Sequence, residues 1–103
     1  MIEYITRIDD IDEAAEILET LDRIDQEGAC YLIHGNENTR PLGDGLWEIK
    51  KSNNRLYYIY CRMNRVFLLH ACHKQKRKAE KNDIEIGKKR MKEIQANERK
   101  WSL

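Results

Sequence analysis

Three segments of period two, separated by turns of three residues, constrain this chain more than any other feature. Leu46–Lys51 (LWEIKK), Arg55–Arg62 (RLYYIYCR) and Val66–Cys72 (VFLLHAC) are rich in aromatic and β-branched residues, which suit a pleated, half-buried surface. Ser52-Asn53-Asn54 and Met63-Asn64-Arg65 lie between them. Connections this short cannot carry a crossover, so neighbouring strands must run antiparallel. The segments predict a three-stranded meander. Strict alternation would send Leu69 and Ala71 to one face and Leu68, His70 and Cys72 to the other.

The flanking segments read as helices. Asp9 or Asp10 can cap a helix that begins near Ile11. Ile11, Ala14, Ala15, Ile17, Leu18, Leu21 and Ile24 follow at helical spacing, and Gly28 ends the run. Ile2, Ile5 and Ile8 suggest a short helical turn before it. Residues 1–28 are thus expected to form a helical hairpin with an acidic outer face. Asn36–Gly45, which contains the lone Pro41, reads as a loop. At the other end, Asn82 is a candidate N-cap, with Asp83 and Glu85 in the first turn, where the helix dipole favours anions. Ile84, Gly87, Met91, Ile94 and Trp101 then fall near one face of a helix over residues 82–101. The expectation is a single α+β domain spanning residues 1–103.

No run of 18 apolar residues is present, so no membrane-spanning helix is expected. MIEYITRIDD has neither the basic nor the apolar part of a secretory leader, which points to the cytoplasm. The cysteines at 30, 61 and 72 are odd in number and form no CxxC pair, so reduced thiols are expected.

A net charge of +1 conceals a strong asymmetry. Residues 1–48 hold 13 acidic and 3 basic side chains, whereas residues 50–81 hold 10 basic ones against Glu80 alone. Residues 82–103 add 6 basic and 4 acidic side chains. A basic stretch of this density favours a polyanion, unless the acidic half folds over it and cancels it.

The stretch LLHACHKQKRK (residues 68–78) changes from a buried strand to a polyelectrolyte, with two histidines and a cysteine at the junction. A metal site is not expected. Consecutive strand residues face opposite ways, so Cys72 and His73 cannot share an ion, and no fourth ligand is apparent. A different cluster is expected from topology. Lys50 ends the first strand, Arg55 begins the second, and His70 lies late in the third. Antiparallel pairing should bring His70 near Arg55, with Lys74 and Lys78 leaving from the same end of the sheet. Tyr58 or Tyr60, if exposed, could stack on a base.

Four pieces of the chain resemble RelE/HigB-type toxins of the phage-derived branch. PLGDGLWEIK (41–50) resembles their "PLGxGLWELR" segment, and RLYYIY (55–60) their "RxLYFY" strand. LLH (68–70) followed by Lys74 and Lys78 resembles "LLHGFxKKTQKTP", and DIEIGKKR (83–90) resembles "EIExAKKR". The resemblance spans roughly residues 10–95. It departs from the family at Lys50 (usually Arg), Ala71-Cys72 (usually Gly-Phe), Gln75 (usually Lys) and Glu80 (usually Pro). The family's opening strand is also missing.

The resemblance implies the toxin of a type II toxin–antitoxin system, an endoribonuclease that cleaves mRNA, usually on the ribosome, without a cofactor. It implies a co-expressed antitoxin, in the HigB branch typically a helix-turn-helix protein. On this reading Arg55, Lys74 and Lys78 clamp the scissile phosphate, and His70 or a lysine moves protons. Lys50, Lys51, Arg62, Lys76 and Arg77 hold flanking phosphates. The alternatives are a member that acts by binding alone, such as a ParE-like gyrase poison, and a phage accessory protein whose sheet a partner strand completes.

Overall fold

A computed structural model describes residues 2–73 and 77–101, with side chains described for 3–73 and 81–97. The element order is α1 (Ile2–Thr6), α2 (Ile11–Glu27), α3 (Ala29–Ile33), β1 (Asn38–Gly43), β2 (Leu46–Lys51), β3 (Asn54–Cys61), β4 (Arg65–His73) and α4 (Arg77–Trp101). The strands form one antiparallel sheet in the order β1-β2-β3-β4. The expected α+β architecture is present, with one strand more than expected.

That additional strand, β1, occupies most of the stretch read as a loop. Pro41 has no N–H to give to a ladder, yet it is tolerated here because β1 lies at the sheet edge. Asp44-Gly45 then joins β1 to β2, with φ of 60° and 95°. Positive φ at both central residues is the signature of a type I′ hairpin turn, for which Asp-Gly is a preferred pair.

The sheet is covered on both faces. On one, Ile5, Ile17, Ile24 and Leu32 from α1, α2 and α3 pack against Ile49, Leu56 and Tyr58. On the other, Met91, Ile84 and Ile94 of α4 pack against Leu46, Tyr57, Ile59, Leu69 and Cys72. Each large aliphatic side chain buried in this way contributes about 1.5–3 kcal/mol. Gly87 sets the approach of α4. A Cβ there would come within 3.1 Å of the Tyr57 ring and 3.2 Å of Leu46.

Asp10 caps α2, as the sequence suggests, by accepting from the N–H groups of Asp12 and Glu13. Gly28 ends it at φ 68°. The turn between β3 and β4 grips this junction through Asn64. Its carbonyl accepts from Ala29 N–H at 2.8 Å, its Oδ1 accepts from Cys30 N–H at 2.8 Å, and its Nδ2 donates to the Glu27 carbonyl at 2.9 Å.

α4 begins at Arg77, not at Asn82 or Asp83 as the capping pattern suggests. Residues 77–81 (RKAEK) are strong helix formers, and their summed propensity outweighs the capping preference of Asn82. Asp83 therefore lies well inside the helix.

Gly28→Ala is expected to destabilise the protein by about 2 kcal/mol or more, because it adds strain at positive φ to a clash with the turn. A Cβ at this position would lie 2.2 Å from the Asn64 carbonyl oxygen. Urea denaturation followed by circular dichroism measures the change.

Candidate functional site

One irregularity in β4 decides what faces α4. The register runs Tyr57↔His70 and then Tyr58↔Leu68, so Leu69 is an extra residue in the ladder. A bulge of this kind re-aims side chains. Leu69 and Cys72 accordingly pack on the α4 side, whereas Leu68 and Ala71 pack on the α2 side. Simple alternation, with Leu69 beside Ala71 and Leu68 beside Cys72, does not hold. His70 is also opposite Tyr57, and Cys72 takes the place across from Arg55 that His70 was expected to fill.

Two rows of cross-strand neighbours result on this face. One runs Arg40–Glu48–Tyr57–His70 and the other Asn38–Lys50–Arg55–Cys72. In the first row the fully buried Glu48 carboxylate pairs with Arg40 at 3.1 Å and reaches Arg55 Nε at 3.7 Å. Arg55 is folded back over the adjoining turn. Its Nη1 donates to the Ser52 carbonyl at 3.1 Å and to the Asn54 carbonyl at 2.9 Å, and its side chain is only 12% exposed. The Lys50 side chain, beside it, makes no hydrogen bond or ion pair with the described residues.

α4 closes over the His70 end of the first row with two polar side chains. Asp83 Oδ1 lies 2.8 Å from His70 Nε2. Arg90, seven residues and so about two turns further along, donates to the Leu69 carbonyl at 2.7 Å and approaches His70 Nδ1 at 3.4 Å. A guanidinium can only donate, so Nδ1 is the accepting nitrogen and Nε2–H is donated to Asp83. The ring is thereby held in one tautomer, with its lone pair beside a cation. A histidine whose far nitrogen is fixed by a carboxylate is suited to accepting a proton.

Cys72 and Tyr57 lie beneath this pair. The Cys72 thiol is pushed up to about 12, first by burial and then by the nearby Asp83 charge. It is therefore a neutral thiol and a poor nucleophile. The Tyr57 hydroxyl is also raised, mainly by burial and next by Cys72. Tyr57 is fully buried, and its oxygen finds no partner at hydrogen-bonding geometry.

The remaining candidates from the sequence divide by position. Lys50, Arg55 and His70 share one end of the sheet and one face. Lys51 points the other way and forms an ion pair with Glu37 at 2.9 Å. Arg62 lies beyond β3 at the opposite end of the sheet. Lys74, Gln75 and Lys76 fall outside the described residues. Arg77 and Lys78 belong to α4 by backbone rather than to a loop, and their side chains fall outside the described ones. Tyr58 is fully buried, and Tyr60 packs edge-on against Trp47 and Tyr58, so Tyr58 cannot meet a base.

Three polar residues of the site were not picked out from the sequence. By sequence Asp83 stands in the first turn of a helix, Arg90 further along that helix and Glu48 in a strand. The signal for two of them was the spacing: Asp83, Gly87 and Arg90 (i, i+4, i+7) share a helix face. Charge is also partitioned by the sheet. The acidic side chains of α2 lie on one side, whereas exposed Lys89, Arg90 and Lys92 lie on the other; between the acidic and basic stretches, Glu37 pairs with Lys51 and Glu48 with Arg55.

A family model described as "Phage derived protein Gp49-like (DUF891)" matches residues 4–92. No curated protein and no solved structure matches the chain.

Removing either member of the Glu48–Arg40 pair should be costly. Glu48→Ala strands the largely buried Arg55 and is expected to cost about 3 kcal/mol. Arg40→Ala takes the hydrogen bond from a fully buried carboxylate and is expected to cost about 3 kcal/mol as well, although its own side chain is 44% exposed. Urea midpoints of the two variants give the comparison.

Proposed function

The chain belongs to the Gp49-like phage-derived family, within the RelE/Gp49 toxin family, and from that premise we propose that it is the toxin of a type II toxin–antitoxin pair. Its activity is that of an endoribonuclease acting on mRNA, in the HigB manner on the ribosome. Its partners are an antitoxin, of helix-turn-helix type on the HigB pattern, and the message. It works in the cytoplasm, and no described helix is long and apolar enough to cross a membrane.

The observation that carries this reading is the Asp83–His70–Arg90 arrangement at a basic end of the sheet. RNA cleaves itself when its 2′-hydroxyl attacks the adjacent phosphate. The protein must remove the hydroxyl proton, stabilise charge on the phosphate oxygens and return a proton to the leaving 5′-oxygen. His70 Nδ1 takes the first proton, Asp83 steadies the resulting imidazolium, and the leaving 5′-oxygen takes its proton from water. Arg90 turns from Nδ1 to the phosphate, and Lys50 adds a second charge. Arg55 supplies a fixed positive field from beneath, not a direct clamp. Lys74 and Lys78 hold the flanking backbone, with Lys76 and Arg77 beside them.

One observation favours a second reading. Arg55 is engaged by Glu48 and two carbonyls and is therefore not open to a phosphate. A member that acts by binding alone, on RNA or on gyrase, would need no clamp there.

Induced expression of the wild type is expected to arrest growth and to leave transcripts cut inside reading frames. His70→Ala should slow cleavage by about 10²–10⁴-fold. Asp83→Asn should slow it without loss of folding, and Arg62→Ala should leave it unchanged. Soluble wild-type protein with intact messages and normal growth removes the proposal. Toxicity that survives His70→Ala and alters plasmid supercoiling establishes the second reading instead.

A further inference from the structure

We propose that His70, Cys72 and Asp83 form a site for a divalent transition-metal ion of the zinc type. One ligand atom from each lies within 4.8 Å of the other two. The ligands of a tetrahedral zinc are about 3.3–3.8 Å apart, given its bond lengths, so closure requires the widest pair to approach by about 1 Å. His70 and Cys72 are two apart in β4 beyond the bulge, which directs both toward α4, and Asp83 descends from the helix above.

The donor set is selective. One imidazole, one thiolate and one carboxylate suit a borderline-soft ion such as Zn²⁺ or Co²⁺, whereas Mg²⁺ and Ca²⁺ prefer oxygen alone. Two ligand charges balance the ion. Three protein ligands leave the fourth tetrahedral position to water, the pattern of open zinc sites. His70 and Asp83 are 16% and 18% exposed, so the position is reached from solvent.

The second observation is the Tyr57 hydroxyl, fully buried beside Cys72 with no partner at hydrogen-bonding geometry. A buried unpaired hydroxyl is costly. A metal-bound thiolate is a stronger acceptor for this hydroxyl than the neutral Cys72 thiol beside it.

The balance of the step is explicit. Cys72 releases its thiol proton to solvent as the S–metal bond forms. The proton on His70 Nε2 moves to Nδ1, and the ion takes its place. Nδ1–H then faces Arg90 Nη1, a donor now 3.4 Å away, so Arg90 must turn aside. Arg90 therefore opposes binding, and Arg90→Ala should strengthen it. The consequence for activity rests on the function proposed above: with Nδ1 protonated and Nε2 ligated, His70 cannot act as a base, and zinc inhibits cleavage.

The test is titration of the full-length, metal-free protein with Co²⁺, followed by displacement with Zn²⁺. The expected result is one equivalent bound, with tetrahedral visible bands and a thiolate-to-cobalt charge-transfer band. Cys72→Ser should lose the charge-transfer band, Asp83→Asn should weaken binding at least about tenfold, and Cys30→Ser should change neither. Absence of the one-equivalent spectrum in folded wild type overturns the site. So does a band that survives Cys72→Ser and vanishes in Cys30→Ser, or undiminished affinity in Asp83→Asn. Cobalt binding is read without RNA, so it stands or falls independently of cleavage. Where the wild type cleaves RNA, zinc should stop it at concentrations that leave Cys72→Ser active. Undiminished cleavage by the zinc-loaded wild type overturns the inhibitory role.

Discussion

The bulge at Leu69 is the constraint on which the site depends. A regular β4 would place His70 on the face opposite Leu69, and the polar row under α4 would end at Tyr57. One additional residue allows Leu69 to enter the apolar cluster with Met91 while His70 also meets α4. Arg90 donates to the Leu69 carbonyl at the bulge. The same guanidinium reaches His70, so one side chain of α4 touches both the bulge and the ring.

The geometry carries its own stability problem. Glu48 is fully buried with two arginines near it, and a buried ion pair of this kind is weak support for stability when weighed against its desolvation. Its role is positional. It faces Arg55 Nε while the Ser52 and Asn54 carbonyls hold Nη1. The apolar layers carry the stability instead. α4 can lie close because Gly87 presents no side chain to Tyr57 and Leu46. That close approach is what brings Asp83 within hydrogen-bonding distance of β4.

Much of the fold was legible in local pattern. The short turns required an antiparallel meander, and Asp10 and Gly28 bounded α2 as their chemistry dictates. β1 was obscured because Pro41 argues against a strand, although Asp44-Gly45 signals a hairpin and an edge position tolerates the proline. The start of α4 was obscured because Asn82 is a good cap standing inside a run of stronger helix formers. The site was less legible, for a physical reason. Lys50, Arg55 and His70 reach one end of the sheet through strand topology alone. The pairing of His70 with Asp83 depends on a bulge and on two helical turns, neither of which local periodicity encodes.

The most direct test of the account uses an RNA with a single 2′-deoxy substitution at the cleaved nucleotide, beside the unmodified RNA, with purified protein and ribosomes. Proton removal from the 2′-hydroxyl by His70 predicts a 2′,3′-cyclic phosphate and a 5′-hydroxyl on the products of the unmodified RNA, and no cleavage at the substituted position. Cleavage of the deoxy substrate at an unchanged rate, or products bearing a 3′-hydroxyl and a 5′-phosphate, would contradict it.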